Sequence, residues 1–378
     1  MAAKQIIIVC GEASGDLNAA GLAKAIKETS PETRILAVGG RQLAAAGAEI
    51  FYDIKGLSVM GLFDVFKKLP LFFSLKKLIL KKVREEKPDA LILVDFSGFN
   101  LRLAKAINKS LPVIYYVSPQ VWASRPGRVR TIKKYIHKMV VLFSFEEEFY
   151  RKHGVEVEFA GHPLLDIVRP SMEKNAFLAN LSLSAAKTTI ALLPGSREAE
   201  IKNVLPAMLK SAEIIAGKIK DAQFIIAKSA QVELDTYEII TMDFKPDLRI
   251  IEDKTYDCLN AADFCLVCSG TATLETAIMQ KPLAVVYKMN LLNYLLYRPQ
   301  VKVPYIGMVN IVAGKMIAPE FIQFRAKPAA IASAALKVLS DPAQADKMKK
   351  DLGQIKASLG SAGASSRAAK IILNFLNK

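Results

Sequence analysis

Residues 5–16 read QIIIVCGEASGD, an unbroken apolar run followed by a turn with two glycines. From Asn18 to Glu28 the apolar residues Ala19, Leu22, Ala23 and Ile26 share one helical face, so a helix is expected there. Strand, glycine-bearing turn and helix make the first unit of an alternating array, and the pattern repeats. Short apolar runs follow at RILAVG (34–39), ALILVD (90–95), VIYYVS (113–118), KMVVLF (138–143) and VEFAG (157–161), with charged, helix-compatible stretches between them. Strands that are apolar on both faces belong to a parallel sheet covered by helices on both sides, so the fold class is α/β, doubly wound. After His162-Pro163 the alternation weakens, then restarts with TTIALLPGSR (188–197), QFIIAK (223–228), LRIIED (248–253), FCLVCSG (264–270) and LAVVY (283–287). Two such domains are expected, over residues 1–165 and 166–350, facing a cleft into which the carboxyl ends of their strands open. Beyond a helix at Ala329–Leu339, the small-residue hinge Leu359–Ser366 leads into a last helix, within residues 366–378. Such a hinge carries that helix either back onto the first domain or across to a partner subunit in a homodimer, and the sequence leaves both open.

Composition bounds the function. The chain has 378 residues, 52 basic against 36 acidic side chains, a formal net charge of +16 and 52% hydrophobic residues. That apolar content excludes a disordered chain. No uncharged apolar run reaches the ~20 residues a membrane-crossing helix needs, and the longest uncharged stretch, Ser110–Ser124, is broken by Pro112 and Pro119. The opening residues lack a secretion signal, so a cytoplasmic location is expected and the four cysteines, Cys10, Cys258, Cys265 and Cys268, read as free thiols. Cys265 and Cys268 have C-x-x-C spacing, but in a strand side chains three apart point to opposite faces. With His137, His153 and His162 scattered, no metal site is expected, and no cofactor.

Five segments carry chemistry. The turn Gly11–Asp16 brings backbone N–H groups to a helix N-terminus, which suits an anion; it is not G-x-G-x-x-G, and a purely structural connection is the competing reading. In Leu192-Leu-Pro-Gly-Ser-Arg197 a strand ends in a Pro-Gly turn and Arg197 stands where its guanidinium can hold a phosphate. Cys268-Ser-Gly-Thr-Ala-Thr-Leu-Glu275 pairs a small polar turn with a helix start, suited to a diphosphate, and places Glu275 one turn on, where it can accept from ribose hydroxyls. This strand, turn and acid-bearing helix resembles the donor site of two-domain nucleotide-sugar glycosyltransferases. Asp95, at the carboxyl end of ALILVD, is placed either as a general base or as a cap of the next helix. The loop YVSPQVWASRPGRVR (116–130) holds the sole tryptophan, Trp122, with Arg125, Arg128 and Arg130 behind it, able to pack a sugar or acyl chain and to bind a phosphate.

Residues 61–84 are apolar and basic together. Leu71, Phe72, Leu75, Leu78 and Ile79 form one stripe, with Lys76, Lys77 and Lys81 outside it, a pattern that suits an anionic membrane surface as well as a core-facing helix. Phe63, Phe66, Lys67, Lys68, Leu69, Phe72, Phe73, Lys76 and Lys77 are the candidate membrane contacts. A second candidate contact is Tyr287–Arg298. Nucleic acid is disfavoured, because the lysines accompany Phe and Leu rather than a recognisable nucleic-acid module.

Together these segments resemble lipid-A-disaccharide synthases nearly end to end. The motifs are GEASGD (11–16), SVMG (58–61), Asp95–Asn100, YVSPQVWA (116–123), GHP (161–163), LLPGSR (192–197), SGTATLE (269–275) and VPYIGMVNIVAGK…PEFIQ (303–323). The resemblance implies the GT-B architecture of two Rossmann-like domains, no metal, and peripheral attachment to the cytoplasmic face of the inner membrane. It further implies an inverting transfer from UDP-2,3-diacylglucosamine to 2,3-diacylglucosamine 1-phosphate, giving a β-1,6-linked disaccharide and UDP. It places the catalytic acid of the first domain on Asp95 and the diphosphate arginine on Arg197. Substrate-binding positions would be Gly11, Glu12, Ser14, Gly15, Asp16, Asn100, Ser118, Gln120, Trp122, Arg125 and His162 in the first half, and Gly195, Ser196, Ser269, Gly270, Thr271, Ala272, Thr273, Glu275, Asn310 and Gln323 in the second. Two departures stand out: Gly98 replaces a second acid that many members carry, and Asp64 replaces a glutamate. The competing functions are another GT-B sugar-nucleotide enzyme, such as an epimerase or a different membrane-associated glycosyltransferase, and a non-catalytic basic membrane-binding protein.

Overall fold

The structure, a computed structural model, describes residues 4–57 and 68–377. The chain divides into two compact units. Unit 1 comprises residues 1–166, 300–302 and 359–378, and unit 2 comprises 167–299 and 303–358.

Unit 1 is built on β1 (Gln5–Val9), β2 (Arg34–Gly39), β3 (Glu49–Asp53), β4 (Ala90–Val94), β5 (Val113–Tyr116), β6 (Lys138–Val141) and β7 (Glu158–Phe159). They form one seven-stranded sheet in the order β3-β2-β1-β4-β5-β6-β7, every pairing parallel. The reason lies in the runs themselves: Ile6, Ile7, Ile8 and Val9 are all fully buried, which only a sheet covered on both faces allows. At ~1.5–3 kcal/mol for each such side chain, β1 alone is a large part of the core. Unit 2 carries β8 (Thr188–Leu193), β9 (Ala222–Lys228), β10 (Leu248–Glu252), β11 (Phe264–Cys268), β12 (Leu283–Tyr287) and β13 (Glu320–Ile322). Its order is β10-β9-β8-β11-β12-β13, again all parallel. Cys265 and Cys268 are buried within β11.

In each sheet the strand order reverses once, between β1 and β4 and between β8 and β11. At such a switch point the connections leave in opposite directions, opening a crevice at the carboxyl ends of the two central strands. The loops following those four strands are Cys10–Glu12, which leads into the helix Ala13–Thr29 that begins earlier than the Asn18 expected from sequence, Asp95–Phe96, Pro194–Arg197 and Ser269–Thr271. Topology therefore places four of the five chemistry-bearing segments at the two switch points, while the loop 116–130 follows β5 beside the first of them.

Two strands, EIFYD of β3 and EFI of β13, are absent from the sequence reading. Both are edge strands with only half-buried or exposed residues, so neither carries the apolar run that marks a central strand. The C-terminal helix Ala364–Leu376 packs against the helix Ala13–Thr29 of the same chain. A Cβ on Gly21 would lie 2.7 Å from Ser365 Oγ, so glycine is what lets these helices approach. Among the described residues no helix is long and apolar enough to cross a membrane.

Candidate active site

In unit 1 the chain leaves β4 through two consecutive left-handed residues, Asp95 (φ 47°) and Phe96 (φ 46°). Neither is glycine, so the turn costs about 1–3 kcal/mol per residue and must be held by its surroundings. It is held from two sides. The Asp95 carbonyl accepts the Tyr115 hydroxyl and the Asn100 amide, the latter at 2.9 Å, while Asn100 also donates to Val94 O at 3.2 Å. The Phe96 ring stacks on Phe99 and lies against Gly11, where a Cβ would come within 2.3 Å of it. Gly15 packs nearby: a Cβ there would lie 3.8 Å from that of Asp95. The Gly11–Asp16 turn and Asp95 thus form one surface. Burial, reinforced by the Asp95 charge, holds the Tyr115 phenol well above its usual range, so it stays a hydrogen-bond donor to the turn.

Beside this turn lies a positive cluster. Arg128 donates to Ser97 Oγ at 3.4 Å. Burial and the neighbouring Arg125 and Arg102 guanidiniums all lower its proton affinity. A half-buried guanidinium beside two exposed ones makes a positive patch that an anion can relieve. Arg125 is exposed and donates to Gln300 Oε1 at 3.0 Å.

The loop after β5 is organised by a residue the sequence did not single out. Glu146 is 2% exposed and accepts from the Ser118 hydroxyl, from Trp122 Nε1 at 3.1 Å and from Phe143 N at 3.2 Å. Burial pushes its carboxyl up to about 7 despite these donors. Trp122 is fixed further by an edge-to-face contact with Phe145, centroids 5.0 Å apart. Gln120 is exposed at the tip of the loop.

In unit 2, Gly195 takes φ 124°, and a Cβ there would lie 2.7 Å from Glu200 Oε2 and 3.5 Å from Cys268 Sγ. The glycine therefore brings the ends of β8 and β11 together. Glu200, likewise missed from sequence, uses one carboxylate oxygen on Ser196 N (3.1 Å) and the other on Arg197 Nη1 (3.1 Å), aligning the guanidinium with its own turn. Across from it, Ser269 Oγ donates to Ile306 O at 2.8 Å, and Gly270 (φ 150°) has open space where a side chain would be. Thr271 is exposed at the start of the helix Ala272–Ile278. Glu275 is largely buried, which raises its proton affinity, and accepts the Tyr256 hydroxyl at 3.2 Å.

The chain's relatives decide which of the competing readings applies. A family model described as lipid-A-disaccharide synthetase matches residues 6–375. The lipid-A-disaccharide synthase of Syntrophus aciditrophicus is 42% identical over 381 residues, covering 100% of this chain and 99% of its own. The chain belongs to the lipid-A-disaccharide synthetase family. The synthase of Myxococcus xanthus is 37% identical, with 98% and 97% covered. Among solved structures, the chain is similar to an S. aureus MnaA–UDP complex (TM-score 0.67, 16% identity, 99% of this chain and 97% of that one). It is also similar to a putative UDP-N-acetylglucosamine 2-epimerase from Listeria monocytogenes (TM-score 0.66, 15% identity, 99% and 95%) and to the calicheamicin glycosyltransferase CalG4 (0.62, 15%, 100% and 99%). At such identities the likeness shows the fold alone, which is GT-B. The chain is a hexosyltransferase of lipid A biosynthesis.

Within this family frame, several residues expected to touch substrate are committed to the chain itself. Asp16 is buried, and its carboxylate accepts from Gly40 N (2.6 Å) and Gln42 N (3.0 Å), capping the helix Arg41–Ala45. Ser14 is exposed on the same turn and Glu12 half-buried. His162 is buried, its Nδ1 accepts Leu164 N at 3.2 Å, and burial pushes the ring down to about 4, so it is neutral. Its neighbour Gly161 sits under Arg367 and Leu359, making GHP a junction with the C-terminal segment. Thr273 is fully buried and its hydroxyl donates to Gly270 O (2.8 Å), tying the first turn of its helix to the preceding loop. Asn310 is fully buried, donating to Ala318 O and Glu320 and accepting from Ile317 N and Ala318 N. Gln323 is bound through both amide atoms to the backbone of Met289. These amides hold their loop in place rather than extend from it.

Of the candidate membrane contacts, Phe63, Phe66 and Lys67, like Asp64, lie outside the described residues. In the helix Leu69–Glu86, Phe72 turns inward, its ring 5.8 Å from Phe96 and 6.1 Å from Phe99. It supports the Asp95 turn instead of facing lipid. Lys68 donates to Gly56 O at 2.6 Å, and Leu69 is half-buried. Phe73 is 61% exposed with the Lys76 ammonium over its ring, and Lys77 is exposed, so the outward face is narrower than the sequence stripe.

Proposed function

We propose that the chain joins UDP-2,3-diacylglucosamine to 2,3-diacylglucosamine 1-phosphate with inversion, releasing UDP and forming the β-1,6-linked disaccharide 1-phosphate. The observation that carries this reading is the placement of Asp95 at the unit 1 switch point and of Arg197 with Ser269–Thr271 at the unit 2 switch point, the crevices where ligands of such sheets bind. Asp95 removes the proton of the acceptor 6-hydroxyl as that oxygen attacks C1 of the donor sugar. Its backbone, pinned by Tyr115 and Asn100, fixes the carboxylate against the Gly11–Asp16 turn before substrate arrives. Arg128, with Arg125 and Arg102, takes the acceptor phosphate, whose charge relieves the crowding of the three cations. Trp122, oriented by Glu146, packs the sugar or the start of an acyl chain.

On the donor side the C1–O bond to UDP breaks as the new bond forms, and negative charge grows on the leaving diphosphate. Arg197, held by Glu200, and the amides near Thr271 stabilise that charge, each such donor being worth ~3–4 kcal/mol when preorganised. Glu275 accepts from the ribose hydroxyls. The likeness of the fold to a UDP complex agrees with a UDP leaving group. The acyl chains place the reaction at the cytoplasmic face of the inner membrane, with the Phe73, Lys76 and Lys77 face of unit 1 toward anionic lipid.

The test is direct. Purified protein is incubated with the two substrates in several detergents and the products read by mass spectrometry. A tetra-acyl disaccharide phosphate with stoichiometric UDP is expected; consumption of neither substrate, or transfer only to a different acceptor, would reject the assignment.

A further inference from the structure

One surface of unit 2 takes no part in this chemistry. The helix Leu291–Tyr297, LLNYLLY, has no buried residue. Leu291, Leu292 and Leu295 are 49%, 50% and 58% exposed, and their spacing of three and four puts them on one face. Phe324, 66% exposed, extends that face: its ring meets Tyr294 edge-on, with centroids 6.1 Å apart. A helix this apolar that leaves three leucines about half exposed marks an interaction surface. Seven residues rise only about 10 Å, far too short to span a bilayer and suited to lying in its interface.

Charge identifies the partner. From Thr276 to Ser340 the sequence has eight basic residues and one acidic, Glu320. That carboxylate is turned away from the surface, accepting from Ile306 N, Gly307 N and Asn310 Nδ2. Arg298 ends the apolar helix, and Arg325 and Lys327 follow Phe324, all three exposed. Exposed leucines and a phenylalanine rimmed by cations, in a segment with no outward carboxylate, match a bilayer that offers acyl chains below and anionic head groups above.

We infer that the Leu291–Tyr297 helix and Phe324 form a membrane-docking plate of unit 2, inserting shallowly into an anionic lipid surface. It is separate from the Phe73 face of unit 1 and does not depend on the reaction assigned above.

Flotation of the full chain, without substrates, on phosphatidylcholine vesicles with and without phosphatidylglycerol tests this. The triple variant Leu291→Ser, Leu292→Ser, Leu295→Ser and the charge variant Arg298→Glu, Arg325→Glu should each weaken binding to anionic vesicles roughly tenfold. A local probe guards against misfolding of the triple variant. Leu295→Trp, in a Trp122→Phe background, should shift its emission to the blue on anionic vesicles and be quenched by brominated phospholipid. Unchanged emission at saturating anionic lipid would overturn the inference. So would unchanged vesicle binding accompanied by a raised KM for long-chain donor, which would make the plate a substrate subsite, or by loss of a dimer, which would make it a subunit contact. Turnover of detergent-dispersed substrates should be unaffected by either variant, so failure here and failure of the assigned reaction are distinguishable.

Discussion

Replacing Glu146 by Gln should change the pH dependence of stability by a calculable amount. The wild-type carboxyl is buried with a proton affinity raised from 4.5 to about 7. At ~1.4 kcal/mol for each pH unit, that rise corresponds to about 3 kcal/mol. The sign follows from which form the fold prefers: burial favours the protonated acid. Its contribution is fully present below pH 4.5 and is lost as the pH rises through 7. Glutamine keeps the shape and can still accept Trp122 Nε1, but its NH2 faces Phe143 N, a mismatch costing ~1–3 kcal/mol at any pH. Glu146→Gln should therefore be less stable than wild type at about pH 4 and should gain about 3 kcal/mol relative to it by about pH 8. Urea unfolding followed by fluorescence reads this locally, because Trp122 is the sole tryptophan and donates to Glu146 itself. A stability difference between variant and wild type that does not change with pH would refute the reasoning.

Other substitutions probe the remaining supports. Gly195→Ala places a methyl 2.7 Å from Glu200 at φ 124°, so the turn carrying Arg197 must shift; turnover should fall ~10²-fold, read in steady-state assays, as for loss of one preorganised donor. Asn310→Ala removes four hydrogen bonds to its own loop and should destabilise unit 2 by about 3 kcal/mol, visible in the melting curve, since buried backbone groups lose their partners. Gly98→Asp meets nothing within 4 Å and should leave stability within about 0.5 kcal/mol by chemical denaturation.

The central strands were legible because burial on both faces demands short unbroken apolar runs, as in QIIIV and FCLVC, and these alternate with helix-compatible stretches. The edge strands β3 and β13 were not, since half-exposed EIFYD and three-residue EFI carry no such run. Asp95 could be picked out because it follows directly on a buried strand, and Arg197 because it closes the short Pro-Gly-Ser turn after one; the topology then put both at switch points. Glu146 could not: it stands first of three consecutive glutamates, and only the packing of its helix turns it inward while Glu147 stays half-buried and Glu148 exposed. Glu200 was hidden in the same way among the acids of the helix Glu198–Ala216. The helical stripe of residues 71–79 was right about its core-facing side, with Leu75 and Ile79 buried. It could not tell Phe72, which packs on Phe96, from Phe73, which faces out, because adjacent residues differ by only 100° around a helix. Asn310, Gln323 and His162 show the converse: motif residues whose role is to hold a loop are indistinguishable in sequence from residues that touch a ligand.

The central claim, that Asp95 is the base of a glycosyl transfer, is tested most directly by the single-turnover rate of Asp95→Asn with both substrates bound. The amide keeps the turn and its contacts with Tyr115 and Asn100 but accepts no proton, so the rate should fall ~10²–10⁴-fold while donor affinity stays at the wild-type value. A near-normal rate would contradict the account.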